Sequence, residues 1–304
     1  MKNYSLVIGG ANVDIQGFPD NKLHLRDSNP GKLKISLGGV GRNIADNMAR
    51  LGLSTKLITA LGDDVYATKI REGALKINLD LSDSMTVSNA MSSTYLSILD
   101  ENGDMALALS DMAIIDKLDM NFISQKDEVI KGSTLTVIDT NLNCELLDKM
   151  TQAFPDTPFL LDTVSSTKAL KVKTFIGRFH TIKPNKAEAE MLSGIKIESD
   201  DDFIRIEEYF LNQGVKRLFI TLNKEGVYYT DGQNRGKMKA IQANVINATG
   251  AGDAFVAALA YCHVQGFGIE DTARFAQYAS LLALSHEDTI NPNMSVENIL
   301  KILK

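Results

Sequence analysis

Short apolar runs alternate with longer stretches of helical spacing along most of the chain. Residues 6–10 form an apolar run that ends in Gly9-Gly10. Within residues 41–51, Ile44, Met48 and Leu51 recur on one helical face, and Gly52 stops the pattern. Residues 56–61 predict a strand and residues 67–77 a helix. Further strands are expected at 135–139, 159–162, 181–183 and 217–222, with helical stretches between them. Residues 254–264 read as an apolar helix, and the chain from 252 to 304 as helical with breaks at 266–268 and at Asn291-Pro292. Strands alternating with helices predict an α/β fold, a parallel sheet covered on both faces.

Two segments depart from this rhythm. Residues 92–109 alternate Thr94, Leu96 and Ile98 against Ser93, Tyr95, Ser97 and Leu99, then resume after Glu101-Asn102-Gly103, a hairpin signal. Residues 12–37 hold Gly17, Pro19, Pro30 and Gly31 and predict short strands and loops. Together they predict a small β lid, residues 14–36 and 85–111, on a single domain of residues 1–304. One lid face is expected to cover a ligand. A two-stranded lid is marginally stable alone, so the other face is expected to meet a second copy in a homodimer.

Composition narrows the function classes. The chain has 304 residues, 44% of them hydrophobic, enough for a sizeable core. A net charge of −6 argues against a nucleic-acid polymer as partner. Cys144 and Cys262 lie far apart without a CxxC spacing, which suits a reducing cytosol. The N-terminus lacks a signal-peptide layout, and the longest apolar run, 254–262, is far short of the roughly 20 residues a membrane span needs. A soluble, cytoplasmic protein with no membrane partner is expected. The histidines His24, His180, His263 and His286 show no metal-ligand spacing.

The most informative stretch is Asn247-Ala-Thr-Gly-Ala-Gly-Asp-Ala-Phe255, a glycine turn running into an apolar helix. Free N–H groups of a first helical turn attract an anion. A carboxylate there repels the anion, so Asp253 reads as a base for a hydroxyl that attacks a phosphoryl group. The bland alternative is a turn in which Asp253 merely suits the helix dipole. Gly38-Gly39-Val40-Gly41-Arg42-Asn43 opens the 41–51 helix. Its glycines permit close approach of a ligand, and Asn43 suits sugar hydroxyls. Asn12 and Asp14 follow the first strand, where ligands of parallel sheets bind, and Asp14 can accept bonds from a vicinal diol. Asn185-Lys-Ala-Glu188 has the spacing of a capping box and also of residues bordering a hydrated Mg²⁺. The stretch 221–227, with Thr221, Asn223 and Gly226, reads as a hairpin turn or as a place for nucleotide phosphates.

In this order, these motifs resemble the ribokinase-like (PfkB) family of sugar and nucleoside kinases, over nearly the whole length. Gly38-Gly39 with Asn43 resembles its N-terminal signature, 247–255 its C-terminal one, and Asn185-x-x-Glu188 its Asn-x-x-Glu motif. The resemblance implies a three-layer α/β/α domain with a mostly parallel sheet and a β lid. It implies ATP as phosphoryl donor, Mg²⁺ and a small sugar or nucleoside acceptor. Asp253 would be the base, with the N–H groups of Gly250, Ala251 and Gly252 facing the phosphoryl oxygens. The acceptor would lie against Asn12, Asp14, Gly38, Gly39 and Asn43, with Thr94 from the lid and Asn141 as further contacts. ATP would lie against Asn185, Thr221, Asn223, Gly226, Gly250 and Gly252, and Glu188 with Asn185 would hold Mg²⁺ through water. Asn247 and Ala248 replace the Asp and Thr of many members, so a K⁺ site in that loop stays open. The lid stretch 28–47, residues 93–105 and residues 162–168 resemble the pseudouridine-kinase branch. Other sugar or nucleoside kinases, and a non-catalytic ligand sensor on the same fold, remain alternatives.

Overall fold

The structure is a computed structural model describing residues 4–241 and 245–303. Lys304, the end of the expected helical tail, lies outside the described residues. Strands in chain order are β1 Ser5–Ile8, β2 Asn12–Pro19, β3 Gly31–Gly38, β4 Thr55–Ile58, β5 Ala60–Leu61, β6 Met85–Thr86 and β7 Thr94–Leu99. They continue with β8 Met105–Asp111, β9 Thr136–Asp139, β10 Phe159–Asp162, β11 Thr181–Lys183, β12 Arg217–Thr221, β13 Val227–Thr230 and β14 Arg235–Met238.

Eight of these form the central sheet, in the order β14-β13-β12-β11-β10-β9-β1-β4. The pairings from β4 through β12 are parallel, and β13 and β14 add an antiparallel edge. Strand periodicity sends alternate side chains to opposite faces. Val7, Val137 and Leu160 enter one core, against the helices Val40–Arg50, Ala251–Gln265 and Ile269–Leu284. Leu6, Ile8, Ile138 and Leu161 enter the other, against Cys144–Ala153, Lys186–Ser193 and Asp200–Gln213. Two cores around one sheet make a three-layer α/β/α architecture. Among the described residues, no helix is long and apolar enough to cross a membrane.

A second sheet, β3-β2-β7-β8, stands apart from the first. Its members come from the two segments that break the α/β rhythm. The second contribution runs from residue 94 to 111 rather than from 85, because Met85–Thr86 pairs with Ala60–Leu61 in a separate two-stranded piece. Register divides the small sheet by face. Ser36, Asp14, Tyr95 and Ser110 stand in one row, and Lys34, Gln16, Ser97 and Ala108 in the next, on the same face. The opposite face carries Ile35, Ile15, Leu96 and Leu109, then Leu33, Gly17, Ile98 and Leu107.

Candidate active site

The parallel strands deliver charge to one end of the sheet. β9, β10 and β11 are apolar but end in Asp139, Asp162 and Lys183, all buried. Burial raises the Asp139 carboxyl above its ordinary value, while N–H bonds from Gly10 (2.9 Å) and Asn141 (2.8 Å) work the other way. Lys183 Nζ lies 3.3 Å from Asp162 Oδ2. Burial disfavours its charge, but Asp162, Glu188 and Asp253 outweigh that and hold the ammonium above its ordinary pKa. Sequence reasoning missed all three. The available signal was a charged residue closing an otherwise apolar strand, at the end where parallel sheets bind ligands.

Over these strand ends sits the start of the Ala251–Gln265 helix. It begins three residues earlier than its apolar pattern suggests, because Gly250 caps it at φ 84°. A side chain on Gly250 would strike the Thr289 carbonyl, so this glycine serves the chain's own turn. Gly252 differs: a Cβ there would meet only Lys183 Nζ, at 3.4 Å. Of these two glycines, Gly252 is the one with open space beside it. Asp253 follows, half-buried in the first turn. Burial, then the neighbouring Asp162, pushes its carboxyl up to about 7, against the opposing pull of Asn43 and Lys183. Asn43 Nδ2 donates to Asp253 Oδ2 at 2.9 Å. The residue expected to hold sugar hydroxyls thus holds the Asp253 carboxylate.

Facing this helix, the Gly38–Gly41 turn packs closely on the chain, and its glycines are needed for that packing. A Cβ on Gly38 would fall on the Asp14 carboxylate, and one on Gly39, at φ 95°, on the backbone of Gly10 and Ala11. These glycines let the turn press Asp14 into place. Asn12 Nδ2 donates to Asp14 Oδ1 at 2.6 Å, and burial raises the Asp14 carboxyl above its usual range. Asn141 approaches Gly10 at the end of β9, and its Oδ1 accepts from Lys168 Nζ at 2.6 Å.

On the other flank, Asn185 and Glu188 form the reciprocal capping box of the Lys186–Ser193 helix. Glu188 is buried and takes hydrogen bonds from Asn185 N–H (2.8 Å), Asn185 Nδ2 (2.8 Å) and Thr163 Oγ1 (2.6 Å). Among the described residues no three acidic, histidine or cysteine side chains gather to hold a metal. A carboxylate so occupied fits a Mg²⁺ ion that keeps its waters, held at one remove. Thr221 N–H donates to the Pro184 carbonyl, tying β12 to this box. Asn223 is exposed, and Gly226, at φ 109°, turns the chain tightly against Met238. Asn247 Nδ2 donates to the Glu287 carbonyl (2.9 Å) and its Oδ1 accepts from Thr249 N–H (2.9 Å). Both ends of the Asn247 amide are thus engaged by the chain.

Between the small sheet and the C-terminal loops lies a cleft of about 760 Å³ that includes Asp14, Gln16, Arg42, Tyr95 and Thr249. Lys34 Nζ meets Asp288 Oδ1 at 2.7 Å across its mouth. Thr94 is not among its lining. It stands on the opposite pleat from Tyr95, and its hydroxyl donates to the Ser92 carbonyl at 3.1 Å. On β7 the residue facing the cleft is Tyr95, because the side-chain period is two and one step in register changes the face.

Comparison with known proteins places the chain among kinases of one family. The model of the pfkB family carbohydrate kinases matches residues 2–296. Pseudouridine kinase of Escherichia coli (strain K12) is 38% identical over 304 residues, covering 100% of this chain and 97% of that protein. A solved structure from Clostridium perfringens, described as a candidate sugar kinase, superposes with a TM-score of 0.94 at 44% identity, covering 99% of this chain and 95% of that one. An Escherichia coli structure described as a candidate ribokinase II, in complex with ATP and Mg²⁺, shares the fold at a TM-score of 0.83 and 16% identity, with 99% of each chain covered. The chain belongs to the pfkB family of carbohydrate kinases.

Proposed function

We propose that the chain transfers the γ-phosphoryl group of ATP to the primary 5′-hydroxyl of a ribosyl substrate, pseudouridine in preference to others. The observation that carries this reading is Asp253, a carboxylate at a helix N-terminus whose pKa is pushed to about 7. A base poised near operating pH can take the hydroxyl proton while the first-turn N–H groups face the phosphoryl oxygens. Lys183, charged and in contact range of Gly252, supplies a cation beside the transferring group. Asp14 suits the ribose diol, and Gln16 and Tyr95 give the cleft wall the polar character a nucleobase needs. Asn185, Thr221 and Asn223 border the nucleotide side, and Mg²⁺, bound through water near Asn185 and Glu188, would neutralise phosphate charge. The likeness to pseudouridine kinase favours that acceptor over ribose or adenosine.

The small sheet acts as a lid that excludes water during transfer. Its outer face exposes Leu33, Ile35, Leu107 and Leu109 at 72%, 46%, 61% and 62%. A second copy of the chain covers that face, giving a homodimer joined through the lids. Two free thiols, one buried, suit a cytoplasmic protein.

A coupled assay with pseudouridine, uridine, adenosine and ribose tests the assignment. Pseudouridine is expected to lead in kcat/KM by about tenfold or more, because a site that bonds its extra ring N–H leaves a partner unpaired with the isomer. A lead by ribose or adenosine would replace the substrate. ATP consumption with none of the four would overturn the ribosyl reading.

A further inference from the structure

We propose that Arg42 is a positioning residue for the catalytic base: it fixes the Asn43 amide so that a donor, and not an acceptor, always faces Asp253. The role of Asp253 as base rests on the function proposed above; the relay itself rests on geometry.

An amide side chain can turn end for end with little change in shape, so its partners decide which end points where. Asn43 Oδ1 accepts from Arg42 Nη1 at 3.3 Å, and Asn43 Nδ2 donates to Asp253 Oδ2 at 2.9 Å. A guanidinium carries donors only, and an ionised carboxylate only acceptors. Turning the amide over would set donor against donor at one end and acceptor against acceptor at the other. Arg42 thus selects the orientation that serves the base.

Arg42 is itself held. Its Nη2 donates to Asp46 Oδ2 at 2.6 Å and its Nη1 to the Leu37 carbonyl at 3.1 Å. Asp46 also receives Arg50 Nε at 2.6 Å, and Arg50 reaches the Pro292 carbonyl at 2.9 Å. Arg42, Asp46 and Arg50 are four residues apart in turn, on one side of the Val40–Arg50 helix. Arg42, Asn43 and Asp46 are 7%, 6% and 2% exposed, so water offers little competition for these bonds. The planar two-pronged guanidinium matters here, since one nitrogen engages Asp46 while the other engages Asn43. The charged groups facing Asp253 itself are Asp162 and Asp139, which raise its pKa, and Lys183, which lowers it; Asn43 lowers it as a donor. Arg42 acts on it from one residue further away.

The test is the titration of the Asp253 carboxyl by ¹³C NMR in wild type, Arg42→Gln, Asn43→Ala and the double variant, without substrate. Both single variants are expected to raise the Asp253 midpoint by about half a pH unit or more, the scale of one lost hydrogen bond. The double variant is expected to go no higher than Asn43→Ala, since Arg42 works through Asn43. An unmoved midpoint in Arg42→Gln, or shifts that add in the double variant, would overturn the relay. Should Arg42→Gln fail to fold, Arg42→Lys keeps the charge but loses the second prong, and the same upward move is required of it. In turnover, the acid limb of the kcat/KM profile should move with the midpoint while KM for ATP stays constant. The NMR measurement needs no acceptor, so failure of the substrate panel and failure of the relay are separate outcomes.

Discussion

At the scale of the residue, the proposed role of Asp253 sets two opposed demands. Burial beside Asp162 favours its neutral form, and a general base would need its charged one. Replacing it by Asn is expected to cut kcat by roughly 10²-fold or more, the usual scale for a lost general base. In wild type, kcat/KM should fall as pH drops through about 7 and level off above it, because only the ionised carboxylate accepts a proton. Stability runs the opposite way. The native carboxyl binds its proton more tightly than the unfolded chain does, so between the ordinary aspartate range and about pH 7 this group's contribution falls as pH rises. Asp253→Asn should therefore melt above wild type at pH 8 while being nearly inactive; a lower melting temperature would contradict the burial argument. Asp253, Asn43 and Asp14 stood out in the sequence because each sits in a glycine-marked motif. Lys183, Asp139 and Asp162 did not, because only the folded sheet shows that three separate strand ends meet. The role of Arg42 is not legible in its motif, because its partners Asp46, Asn43 and the Leu37 carbonyl meet it only in the folded helix and turn, and Tyr95 rather than Thr94 faces the cleft because that depends on register.

At the scale of the element, two glycines two residues apart have different jobs. Gly250 holds a left-handed turn against Thr289, while Gly252 is helical and open apart from Lys183 Nζ. Gly250→Ala should cost about 2 kcal/mol or more in backbone strain, a drop of roughly 3 °C in Tm for a chain of this size. Gly252→Ala should leave Tm nearly unchanged but lower kcat/KM, since its methyl group enters the phosphoryl space. Thermal melts alongside kinetics separate the two; equal melting temperatures for both variants would refute the distinction. The alternation of buried strand and amphipathic helix made most of the central sheet legible from the apolar pattern. Its boundaries were less so. Helix starts depend on caps such as Gly250 and Asp64, whose side chain accepts from Ala67 N–H, and those lie outside the hydrophobic pattern. Nothing local in Met85–Thr86 signals that it pairs with Ala60–Leu61 instead of joining the small sheet.

At the scale of the whole molecule, the outer face of the small sheet leaves Leu33, Ile35, Leu107 and Leu109 in solvent. If a second copy completes it, Leu107→Asp with Leu109→Asp should leave a monomer by light scattering at concentrations where wild type is a dimer. A monomeric wild type, or an intact dimer in the variant, would remove the lids from the interface. The sequence showed hairpin-like segments but not their assembly, because the pairing that unites them, β2 with β7, joins residues 13–17 to residues 94–98. That long span has a kinetic side. The closing contacts of the small sheet enclose the four strands β3 to β6, two helices and their turns, so the loop must already be shortened by a folded body before the pairing becomes favourable. The last part to form is also the first able to come apart. The two sheets then behave as separate cooperative units, and the outer one can exchange its amide protons while the inner one stays shut.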